Sequence, residues 1–93
     1  MNENFLNNAL LFVLKDNPTE DEKMDISNEK EAFIARESDS EVLPFDYFTD
    51  VYVSLALSHV SFNRPLDAAR SFAVAYLLTK ENTYKCIIYR LLG

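Results

Sequence analysis

The sequence predicts an all-α fold, an antiparallel array of about five helices joined as helical hairpins, in one domain over residues 1–93. Three observations predict it. The chain holds one glycine, Gly93, so the positive-φ turns of tight β-hairpins have no glycine to build them. Apolar residues recur at offsets of three and four through most of the chain, the spacing of one helix face. The breaks between those runs are short and polar and carry Pro18, Pro44 and Pro65. A length of 93 residues allows one core and no second domain.

Residues 4–15 read as the first helix, with Phe5, Ala9, Phe12 and Val13 on one face and Leu6, Leu10 and Leu14 beside them. Asp16-Asn17-Pro18 ends it. Residues 16–27 read as an acidic linker, although Thr19 and Glu22 have the spacing of a capping box. A second such pair, Asn28 with Glu31, stands just before Ala32 and Phe33 and starts a short helix over 28–37. Residues 38–44 are a linker. The stretch 45–62 has no helix breaker; Asn63-Arg64-Pro65 is a turn, with Pro65 in the first-turn position that a helix tolerates. An alanine-rich helix follows over 66–78, and the polar break 79–82, with Asn82 as cap, leads into a final apolar helix over 83–92.

Composition narrows the function. The chain is 48% hydrophobic and 26% charged, which is enough to fold and to stay in water. Its net charge is −6, which disfavours nucleic acid as a partner, because binding to a phosphate backbone needs clustered cations. Backbone phosphate cradles need glycines that are absent here. Apolar runs such as residues 9–14 are too short to span a bilayer, so no membrane insertion is expected. One cysteine, Cys86, and one histidine, His59, make neither a disulfide nor the usual zinc set. No catalytic residue, metal or cofactor is therefore expected, and the lack of disulfides together with the N-terminal sequence points to the cytoplasm. Cys86 reads as a small buried residue and His59 as a core histidine. The charge is uneven: residues 1–44 hold eleven acids and four bases, whereas residues 45–93 hold four and five, with nine of the twelve aromatics. The second half is expected to be the packed part.

Within it, Tyr52-x-x-Leu55-Ala56-x-x-His59 and Ala68-x-x-x-Phe72-x-x-Ala75 fall at the offsets of a tetratricopeptide unit, whose period is about 34 residues. The pair over 45–79 thus resembles one such repeat. Ala56 stands for the usual Gly, His59 for an aromatic, and Lys80 for the terminal Pro. Ala56, Ala68 and Ala75 would let two helices approach closely, with Tyr52, Leu55, His59 and Phe72 filling the space around them. The resemblance implies that the neighbouring face of the first helix lines a groove, and in this register that face carries Asp50, Val53, Leu57 and Val60. Apolar residues then cover most of this helix, leaving a narrow polar strip of Asp46, Asp50, Ser54, Ser58 and Ser61. The last helix also has more apolar residues than one buried stripe requires: Tyr84, Ile87, Ile88, Tyr89, Leu91 and Leu92. Stacked repeats bury such faces against neighbours, so part of this surface is expected to be completed by another chain.

A small acidic helical protein with one such pair and an aliphatic groove resembles the tetratricopeptide-like co-chaperones of type III secretion needle subunits. The resemblance implies a heterodimer with a small helical co-chaperone, the two together cradling an amphipathic helix of the needle protein and preventing premature self-assembly. The groove would map to Asp50, Val53, Leu57 and Val60, with Tyr84 and Ile88 at its rim, and the co-chaperone face to Phe5, Leu6 and Leu10. A reading from a different class also stands: a self-associating regulatory or structural protein that uses the same apolar surface for a homodimer.

Overall fold

A computed structural model describes residues 2–38 and 45–93 and gives five α-helices, with no strand among the described residues. In chain order they are α1 (Asn2–Val13), α2 (Glu20–Ser38), α3 (Phe45–Ser61), α4 (Pro65–Thr79) and α5 (Asn82–Leu92). The all-α class read from the sequence is the one observed.

The first hairpin differs from the expected pattern. Residues 20–27 are helical, continuous with the helix expected from residue 28. The Thr19/Glu22 capping box starts α2: the Glu22 N–H donates to Thr19 Oγ1 at 3.1 Å, and the Thr19 N–H donates to Glu22 Oε1 at 2.9 Å. Glu20, Asp21 and Glu22 then lie in the first turn, where carboxylates meet the positive end of the helix dipole. Asn28 and Glu31 are exposed mid-helix residues. α1 and α2 run antiparallel, tied by a Lys15–Glu22 ion pair beside the turn, by Asn8 Nδ2 donating to Glu29 Oε1 at 2.8 Å, and by Phe5 stacked on Phe33 at 4.7 Å. The expected linker over 38–44 lies, apart from Ser38, outside the described residues.

In a chain with one glycine, other residues must take the left-handed conformations that end helices. Asn63 does so after α3 with φ 59°: the Arg64 N–H reaches His59 O at 2.8 Å and the Asn63 N–H reaches Val60 O at 3.0 Å, the paired bonds of a Schellman turn. Lys80 does so after α4 with φ 61°, and its N–H donates to Tyr76 O.

α4 sits at the centre, packed by α3, α5 and α1. Its residues Ser71, Phe72, Ala73, Val74 and Ala75 are buried in succession, which no helix with a single covered face can achieve. Ala68, Ala69, Ala73 and Ala75 have no accessible surface, so neighbouring backbones come close on several sides. Phe33 links the two halves of the molecule. Its ring meets Phe5 on α1, and Tyr52 at 5.7 Å and Phe48 at 6.4 Å on α3. No helix in the described residues is long and apolar enough to cross a membrane.

Candidate functional site

The core stripe of α3 is Phe48, Tyr52 and Ala56, buried at four-residue spacing. Every other apolar residue described on this helix lies to one side of that stripe or the other. On one side Tyr47, Val51 and Leu55, again four apart, are 50%, 36% and 43% exposed, and Phe62 just past the helix end is 77% exposed. With Asp50, Ser54 and Ser58 these three side chains form an open trough of about 450 Å³. On the other side Val53 is half-buried, while Leu57 and Val60 are 57% and 45% exposed. Two exposed apolar strips thus run along one helix, separated on its outer side by Asp50, Ser54, Ser58 and Ser61. The side chain of Asp46 lies outside the described residues.

The structure divides the sequence-derived site residues differently. Of the groove residues, Val53, Leu57 and Val60 share one strip, whereas Asp50 lines the trough on the other. Ile88 is fully buried and Tyr84 is half-buried, stacked on Phe72 at 6.0 Å, so neither forms an exposed rim. Phe5 and Leu10 are core residues as well, because α1 turns them onto the central cluster with Phe33 and α4; only Leu6 of that trio keeps part of its surface in the open. Exposed Leu11 is instead the apolar residue that α1 offers to solvent.

Of the repeat-core set, Tyr52, Ala56, Ala68, Phe72 and Ala75 are buried. Leu55 is exposed, since the stripe that meets the rest of the molecule centres on Phe48, Tyr52 and Ala56 and leaves Leu55 on its flank. His59 is half-buried and lines a hollow with Leu6, Arg64, Asp67 and Arg70. Cys86 is exposed rather than buried, because α5 turns Ile88, not Cys86, inward. Tyr47, Val51 and Phe62 were not marked by the sequence as surface residues. The signal for them was the four-residue spacing of Tyr47, Val51 and Leu55, which runs parallel to the spacing of the buried stripe.

Charged groups gather at both ends of the bundle. In the His59 hollow, Asp67 accepts from Arg64 Nε at 3.1 Å and from Arg70 Nη1 at 3.0 Å, leaving two guanidinium groups to one carboxylate. Arg70 Nε is buried there with no hydrogen-bond partner. At the other end Lys80 extends toward the Tyr76 ring, with Nζ 6.0 Å from its centroid. Partial burial and the nearby positive charge of Lys30 lower the Lys80 pKa below the ordinary lysine value. Among the described residues, no group of three or more His, Cys, Asp or Glu side chains is placed to hold a metal ion. Comparison with protein families, with curated proteins and with solved structures gives no match to this chain.

Proposed function

We propose that this protein is a non-enzymatic adaptor that holds an amphipathic helix of a partner protein against the exposed apolar strips of α3. The observation that carries this reading is the four-residue register of Tyr47, Val51 and Leu55, all open to solvent above a trough without a basic residue. A helix placing its own apolar residues at offsets of three and four matches that register. Burial of one such side chain contributes about 1.5–3 kcal/mol, so three or four of them make a micromolar complex reachable once the loss of translational freedom is met. Leu57 and Val60 on the opposite strip offer a second contact line, which suits a partner complex of two small helical chains.

In its specific form the proposal takes the partner from the family resemblance: the amphipathic helix of a type III secretion needle subunit, bound together with a second small helical co-chaperone and kept from polymerising in the cytoplasm. Co-expression with a needle-type subunit and its neighbouring small helical protein tests this, read by co-purification and solution mass. The expected product is a stable heteromeric complex, which Leu55→Asp weakens by about tenfold or more, with helical circular dichroism unchanged. Leu57→Asp is expected to do the same if the second strip is also occupied. A concentration-independent homodimer that excludes the partner would overturn the adaptor reading and support self-association instead.

A further inference from the structure

The chain has five lysines; four of them line a single hollow, and the fifth, Lys30, is near enough to act on the charge of Lys80. They come from four segments: Lys15 just after α1, Lys23 and Lys30 on α2, Lys80 at the end of α4, and Lys85 on α5. Lys15, Lys23, Lys80 and Lys85 line one hollow of about 240 Å³, in which Asp16 is the only acid. Lys30 acts on Lys80 from the side.

Ordinary structural roles account for part of this convergence. Lys15 pairs with Glu22, Lys23 pairs with Glu20 at 3.2 Å, and cations beside the C-terminal ends of α1 and α4 complement those helix dipoles. They do not account for Lys85, and neither Lys80 nor Lys85 forms an ion pair with any described residue. Nor do they explain like charges placed around a concavity in a chain of net charge −6, where dispersing them would cost nothing.

We propose that this hollow is a receptor for a small soluble molecule carrying phosphate groups, held by lysine ammonium groups instead of by a glycine-rich backbone loop. Lysine is a mobile point charge with three donors, suited to phosphate oxygens that approach from several directions. The shape of the site and the charge of the whole protein select a compact ligand. The four cations line a single hollow, and the negative charge of the rest of the chain repels a long polyanion more than a compact one. Ile26 and Tyr76 provide an apolar floor, which limits the water competing for the anion. Bound phosphate would also relieve the repulsion between Lys30 and Lys80. No residue of α3 lines the hollow, so the proposal stands apart from the adaptor reading.

The test is titration of the purified full-length chain with sodium pyrophosphate at constant ionic strength, followed by amide NMR and thermal unfolding. Saturable shifts confined to residues 15–30 and 76–85, with a rise in Tm, are expected. The Lys80→Met/Lys85→Met double variant should lose about tenfold or more in affinity, whereas Arg90→Met should bind as the parent does. Should the double variant fail to fold, Lys85→Met alone and Lys23→Met serve, each with a smaller loss. Equal shifts with sodium sulfate, or unchanged affinity in the lysine variants, would overturn the proposal. Tighter binding of a hexaglutamate peptide than of pyrophosphate would also overturn it and assign the hollow to an acidic protein segment. Capture by phosphatidylglycerol vesicles in the presence of pyrophosphate would assign it to a lipid headgroup.

Discussion

Phe33 shows how much of a small core can depend on one side chain. It has no accessible surface and touches three other aromatic rings, one on α1 and two on α3. Truncation leaves a cavity that rings fixed on two different helices cannot collapse to fill, so Phe33→Ala is expected to lose about 3–5 kcal/mol. A domain of this size has about 5–15 kcal/mol in total, and urea unfolding of the variant should show a midpoint shifted to much lower denaturant. At this scale the sequence was readable where size and polarity alone decide, as at Ala56, Ala68, Phe72 and Ala75. It was less readable where a direction of some tens of degrees matters. Leu55 and Ile88 are both aliphatic residues on amphipathic helices, yet the first is exposed and the second fully buried. Only the positions of the neighbouring helices separate them, and the sequence does not state those positions.

Among the elements, α2 departs most from the sequence reading. Its first half is acidic and holds few apolar residues, the pattern of a linker, although its start signal is present in Thr19 and Glu22. Two widely spaced anchors hold this helix. Ile26 and Phe33, seven residues apart and both buried, lie on one stripe; of the acids between them Glu31 is exposed and Glu29 is half-buried, accepting from Asn8. A helix with so few anchors relies on its cap. Thr19→Ala is expected to cost about 1 kcal/mol in urea unfolding and to increase fraying of residues 20–25 in amide exchange, while Thr19→Ser should retain most of the stability. The hairpin of α3 and α4 was easier to read, because Pro65 and the residues around Asn63 mark its turn and alanines mark the close approach. The candidate surface followed only in part. Leu57 and Val60 were identified as apolar residues outside the core, whereas the trough beside Leu55 required knowing which stripe of α3 meets the rest of the protein.

Taken whole, the molecule is organised around α4. Helices α1, α3 and α5 cover it from several sides, and its backbone is the part of the fold most shielded from water. In native-state hydrogen exchange the amides of residues 69–77 should be the slowest and should open only with global unfolding, whereas residues 20–25 should exchange by local opening. Fast exchange within α4 would show that the helices unfold independently. Net charge is a poor guide at this scale. A total of −6 gives no sign that four lysines drawn from distant parts of the chain meet around one hollow, since their clustering is a property of topology and not of composition.

The central place of α4 also governs the order in which the protein can be made. Phe5, Ala9 and Val13 come to rest in a cluster completed by residues 69–77, so α1 can pair with α2 early but cannot finish burying its apolar face until some sixty more residues have been synthesised. During that interval the part of its greasy side that α2 does not cover is open to anything nearby. A general chaperone that grips nascent apolar segments would find a target in α1, and would lose it once the fourth helix clears the exit tunnel.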